Sequence, residues 1–168
     1  GCLGDIATHA HNLACFVTGL GIRELAADVS RLVPGRKLDD NAHILLRFEN
    51  GARGMLWSSQ VAPGNENGLR LRVYGEKAGL EWTQEHPNQL RFSPVGQPPR
   101  VLSRGGPSLG AAAARATRIP SGHPEGYLEG FANLYRDLAE QIRARRAKRA
   151  PDRAALLVPT VEDGAHGV

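Results

Sequence analysis

The order of apolar and polar positions divides the chain into helix-like ends and a strand-like middle. Leu3, Ile6, Ala10, Leu13, Phe16 and Val17 recur at three-to-four spacing, the mark of one apolar helical stripe. Asp5, His9 and Asn12 form a separate polar row on that predicted helix, and Gly19 and Gly21 supply its stop. From Arg23 the period changes to two, with predicted strands over 23–32, 42–48, 54–62, 69–74, 80–83, 89–93 and 100–103. Short turn signals separate them, among them Pro34-Gly35, Asn50-Gly51, Pro63-Gly64-Asn65 and His86-Pro87-Asn88. Strands joined so closely imply an antiparallel meander, because parallel neighbours need a long crossover.

Residues 104–123, rich in Gly, Ala, Ser and Pro, read as a long loop of the kind that borders binding sites. Pro124 is placed to open a helix from Glu125 to about Arg146. Tyr127, Leu128, Phe131, Leu134, Tyr135, Leu138 and Ile142 trace its apolar stripe, which is expected to pack across the sheet. Thr160 reads as an N-cap, with Asp163 three residues on, opening a last helix that stops at Val168. The expected fold is therefore α+β: two layers, with a large, predominantly antiparallel sheet covered by helices. No internal repeat is visible.

Composition narrows the class. With 168 residues and 41% hydrophobic content, the chain is expected to form a single domain, 1–168, with its own core. No apolar run approaches membrane-spanning length, and the start lacks the basic and apolar regions of a signal peptide. Cys2 and Cys15 are too few for a disulfide framework, so a cytoplasmic location is expected. The chain begins at Gly1 and opens almost directly in a helix, which reads as a fragment of something longer. The net charge of +4 is concentrated in Arg143, Arg145, Arg146, Lys148, Arg149 and Arg153. That run follows a long helix and has no interleaved aromatics for base stacking, so a solvated helix end is expected rather than a nucleic-acid surface.

The candidate chemistry lies at the start of the chain. Asp5 and His9 are four residues apart, hence one turn apart on a regular α-helix. A carboxylate holding one imidazole nitrogen fixes the tautomer of the other, which suits proton exchange with a hydroxyl or carbonyl near neutral pH. Taken alone, the pair fits a first-turn acid with a solvated partner better. A metal is not expected, since His9 and His11 point to different sides of a helix. No Gly-x-Ser-x-Gly elbow supports nucleophilic catalysis, and Cys15 falls beside the apolar stripe.

Several motifs in order change that balance: Gly4-Asp5-Ile6-Ala7-Thr8-His9, Leu38-Asp39-Asp40-Asn41-Ala42 and Asn50-Gly51-Ala52-Arg53-Gly54. Val73-Tyr74-Gly75-Glu76-Lys77-Ala78-Gly79, Gly122-His123-Pro124-Glu125-Gly126-Tyr127 and Pro159-Thr160-Val161-Glu162-Asp163-Gly164 continue the series. Together they resemble the C-terminal domain of the glucose–fructose oxidoreductase / inositol dehydrogenase (Gfo/Idh/MocA) family of NAD(P)-dependent oxidoreductases. The resemblance covers nearly the whole chain and implies a glyceraldehyde-3-phosphate dehydrogenase-like domain for substrate binding and oligomerisation. It implies that NAD or NADP is bound mainly by an N-terminal Rossmann domain, which is absent here along with its Glu-Lys-Pro lysine. Gly19-Leu20-Gly21 follows a helix, lacks the third glycine and is no dinucleotide fingerprint. By the resemblance, His9 is the general acid/base and Asp5 its orienting partner in hydride transfer to or from a sugar- or polyol-type substrate. Asn12 and His123 are candidate substrate-binding residues, with a surface role for Asn12 and a helix-start role for His123 left open. A homodimer or tetramer paired through the sheet follows, and the polar face of Ser58, Gln60, Arg70 and Arg72 is either that interface or solvated. The chain alone is expected to be inactive. The alternative is a non-catalytic α+β binding or scaffold domain whose basic tail recruits an acidic partner.

Overall fold

The period-two stretch folds as seven strands: β1 (Ile22–Ser30), β2 (Asn41–Phe48), β3 (Arg53–Ser59), β4 (Arg70–Tyr74), β5 (Ala78–Thr83), β6 (Gln89–Pro94) and β7 (Arg100–Ser103). The structure is a computed structural model describing residues 1–107 and 109–168; Ser108, inside the stretch expected as loop, lies outside the described residues. The strands are antiparallel where paired, but they make two sheets in place of the one expected, in orders β1-β2-β3 and β4-β5-β6-β7. The chain divides into two compact units, Gly1–Val73 with Thr160–Val168, and Tyr74–Pro159.

In the first unit, residues directly opposed across the ladders share a face. Ala27 meets Ile44 and Ile44 meets Leu56; Val29 meets Ala42 and Ala42 meets Ser58. That face buries Ala42, Leu46 and Phe48, and the two large side chains contribute roughly 1.5–3 kcal/mol each. The turn after β2 uses Gly51 at φ +87°, with Ala52 N donating to Asn50 Oδ1 at 3.0 Å. The N-terminal segment lies against β3. It opens with a π-helical turn, Leu3–Ala7, before the α-helix α1 (Thr8–Thr18). Ser58 Oγ donates to the Cys2 carbonyl at 3.0 Å, and Leu3 N donates to Asp39 Oδ2 at 2.8 Å. Gly19, at φ +69°, ends α1.

The last helix, α4 (Val161–Gly167), packs on α1. The expected cap is present: Asp163 N donates to Thr160 Oγ1 at 3.3 Å, and Thr160 N to Asp163 Oδ2 at 2.7 Å. Asp40, fully buried at the start of β2, accepts from Leu32 N at 2.7 Å and Val33 N at 3.0 Å. Those bonds hold its carboxyl below the usual carboxylate range against the cost of burial, and they fix the loop between β1 and β2.

In the second unit, Leu80 opposes Phe92, and Leu90 lies between Trp82 and Leu102. A short helix, α2 (Ala111–Ala116), stands where a loop was expected. Alanine is the strongest helix former, and four in a row outweigh the flanking glycines and prolines. The long helix α3 runs Tyr127–Arg146. Its start is fixed by Gly126 N donating to Glu129 Oε2 at 2.8 Å, so Pro124 lies outside the helix and does not open it.

The apolar stripe of α3 is exposed where a buried one was expected. Leu128 and Tyr135 are 74% and 70% exposed, while Asp137 and Ala144 are its buried residues. The reason is polar. Arg115 Nη1 and Nη2 donate to both Asp137 oxygens at 3.0 and 2.6 Å, turning that side of α3 toward α2. Its other partner is the 3-10 turn Arg153–Leu157, where Gln141 Nε2 donates to the Ala155 carbonyl at 2.7 Å. The basic run is partly tied down: Arg149 forks onto Glu140 at 2.7 and 3.0 Å, and with Asp152 N it lowers that carboxyl to about 2.

Candidate active site

The two ends of the expected acid–imidazole pair fall in different kinds of helix. Asp5 lies in the π-helical turn and His9 in α1. Backbone bonds that reach five residues widen the turn, so side chains four apart no longer stack as on a regular α-helix. Both side chains are exposed, and no hydrogen bond or ion pair joins them among the described residues. Asp5 Oδ2 accepts instead from Gln60 Nε2 at 3.3 Å, just beyond β3. The exposed segment thus offers a carboxylate steadied by an amide, with an imidazole free to turn toward a ligand. Apo geometry of this kind is compatible with a general acid/base whose bonds form only when substrate arrives. Asn12 is exposed on the same helix.

One residue assigned to an outer polar face belongs elsewhere: Ser58 is buried and bonded to the N-terminal segment, because the alternation of β3 aims it at the covered side. Gln60 is exposed, as the partner of Asp5. His11 has a buried Nδ1 with no hydrogen-bond partner among the described residues, near Gly167 of α4. His43 is exposed and stacks on Trp57, with ring centroids 6.1 Å apart and planes 2° from parallel.

His123 belongs to the second unit, whereas Asp5, His9 and Asn12 belong to the first. Its loop is held by polar groups. Arg104 Nη2 donates to the His123 and Pro120 carbonyls at 2.6 and 3.2 Å, Nη1 to the Ile119 carbonyl at 2.8 Å, and Nε to Asn88 Oδ1 at 2.7 Å. Glu125, buried, completes the arrangement: it pairs with Arg104 at 2.5 Å and accepts from Arg118 N at 2.8 Å and Ile119 N at 3.3 Å. The His123 ring itself stays exposed beside an open cleft of about 340 Å³. Sequence reading missed this support. Its members are far apart in the chain: Asn88 stands in a turn signal, His123 and Glu125 in one motif, and Arg104 in neither.

Among the described residues no group of three His, Cys, Asp or Glu is placed to hold a metal, and no helix is long and apolar enough to cross a membrane. Residues 1–81, which contain Asp5, His9, Asn12 and Gln60, match the family described as GFO/IDH/MocA C-terminal domain. By this match, residues 1–81 belong to that family. An oxidoreductase from Sinorhizobium meliloti is 58% identical, with a TM-score of 0.93 over 99% of this chain and 47% of its own. An inositol dehydrogenase homolog from Azotobacter vinelandii, in complexes with NAD+ and with NADH and myo-inositol, is 39% identical at a TM-score of 0.88. That match covers 99% of this chain and 43–44% of the homolog. The uncharacterized oxidoreductase YfiI of Bacillus subtilis is 34% identical over 99% of this chain and 43% of its length. The chain spans less than half the length of these relatives.

Proposed function

We propose that this domain is the substrate-facing half of an NAD(P)-dependent dehydrogenase that oxidises a sugar- or polyol-type hydroxyl or reduces the matching carbonyl. The observation that carries the reading is the likeness, at 39% identity along 99% of the chain, to a homolog complexed with NADH and myo-inositol. Gly19-Leu20-Gly21 leads from a helix into a strand, the reverse of a dinucleotide loop, so it forms no nucleotide cradle of that kind. The nucleotide is held by a Rossmann half outside this chain, which supplies the hydride acceptor or donor and without which the chain is inactive.

His9 takes the hydroxyl proton as the carbon–oxygen bond becomes a carbonyl, and returns it in the reverse direction. Asp5, steadied by Gln60, orients the imidazole once substrate draws the side chains together. Asn12 and His123 bind substrate hydroxyls. We further read the protein as a cytoplasmic homo-oligomer paired through the β1-β2-β3 sheet. The outer face of that sheet supports this, with Leu45 opposite Met55 at 67% and 70% exposure and Trp57 alongside at 56%.

The test is a panel assay of the longer protein that contains this chain, with both nicotinamide cofactors. Reduction of NAD+ or NADP+ by at least one polyol or sugar is expected. Failure with every polyol, sugar and corresponding carbonyl compound would return the chain to the binding-domain reading.

A further inference from the structure

The cleft beside His123 contains one charged side chain among the described residues that line it, Arg104. A guanidinium has five N–H donors. Here each faces an acceptor: Nε the Asn88 side chain, Nη1 the Ile119 carbonyl and the Glu125 carboxylate, Nη2 the Pro120 and His123 carbonyls. The charge is neutralised by Glu125 at 2.5 Å, and every donor direction is spent on the fold. Gln89, Ser103, Ser121 and His123 line the same cleft with exposed side chains that make no hydrogen bond within the described residues. The lining therefore offers neutral donors and acceptors and withholds its cation.

We propose that this cleft is a hydrogen-bonding subsite for a neutral polyhydroxylated ligand and that it discriminates against phosphorylated or carboxylated analogues. A phosphate or carboxylate is ordinarily captured by a free arginine fork. Taking Arg104 for that purpose would break bonds that hold the 119–125 loop and leave buried Glu125 unpaired, a cost that cancels the gain. Hydroxyls need only the unengaged amide, hydroxyl and imidazole groups. The proposal rests on the dehydrogenase reading for its choice of probe alone, because it concerns binding and not turnover.

The experiment is a titration of the 168-residue chain at pH 8 with myo-inositol and with myo-inositol 1-phosphate, followed by backbone and imidazole NMR shifts. Saturable shifts at Gln89, Ser103, Ser121 and His123 are expected with the neutral polyol, with no tighter binding of the phosphate. His123→Ala and Ser121→Ala, both at exposed positions, are each expected to weaken polyol binding by about 3- to 10-fold, the value of one hydrogen bond. Glu125→Gln, which removes the counter-charge and loosens one Arg104 donor, is expected to shift preference toward the phosphate. Should that variant not fold, the two exposed variants decide. Phosphate binding more than about tenfold tighter than the polyol in the unaltered chain would overturn the proposal. So would the absence of shifts at those positions with the neutral polyol, or polyol binding indifferent to both exposed variants. Polyol shifts here without any dehydrogenase activity in the longer protein would uphold the subsite and sink the function. Activity without these shifts would do the reverse.

Discussion

The two units keep their shape by different chemistry. The first buries Leu46 and Phe48 on one face of its sheet, and its buried carboxylate, Asp40, is held mainly by backbone N–H groups. Among the described residues the second buries only alanines of its apolar residues, together with Glu125 and Asp137, and each of those acids is met by arginine. One unit rests on apolar packing, the other on polar hubs that pin loops and short helices.

The largest effect that could break this contrast is in the first core. Phe48→Ala is expected to cost roughly 3–5 kcal/mol of stability, with amide exchange rising across β1–β3 first. A cost below about 1 kcal/mol would mean that the covered face is not the core. Glu125→Ala is next. It strands the Arg104 guanidinium in a half-closed site and is expected to cost about 3 kcal/mol, with exchange rising at 117–125 and not in the first sheet. Uniform loosening of both units would contradict separate hubs.

Acid acts on both units, and salt sharpens the difference. Carboxyl values lowered by folding give stability that is complete above the ordinary range and is lost as pH falls. Glu140, ordinarily near 4.5, lies at about 2 through its Arg149 fork. Its contribution is expected to fade between about pH 5 and pH 2, as are those of Asp40 and Asp137, both also lowered. At neutral pH, about 1 M salt shortens the screening length to roughly 3 Å. Exchange near Glu140 and Asp137 is then expected to rise slightly, while that near Asp40 stays unchanged, because N–H donors at 2.7 and 3.0 Å do most of the holding there. Equal salt responses would erase the distinction.

Much of this was legible in the chain because the signals are local. The alternation of 41–48 fixed β2 within a residue, Asn50-Gly51 fixed its turn, and Thr160 with Asp163 fixed the start of α4. The misreadings involve competition or distance. The alanine run of α2 was hidden among Gly and Pro, and the π-helical turn at Leu3–Ala7 has no periodic signature of its own. The stripe of α3 named residues that stay exposed, because Arg115 reaches Asp137 across 22 positions and turns that side of the helix toward α2. Within the candidate site, Asp5 and His9 stood out by spacing. Gln60 did not, since it comes to Asp5 from 55 residues away, a pairing that only the sheet creates.

The central claim is that His9 exchanges the proton in a hydride-transfer reaction. Its direct test is His9→Ala in the longer protein, with turnover and cofactor binding measured on the same preparation. A fall in kcat of about 10²- to 10⁴-fold, with cofactor affinity and melting temperature unchanged, is the expected result. Undiminished turnover of every accepted substrate would contradict it.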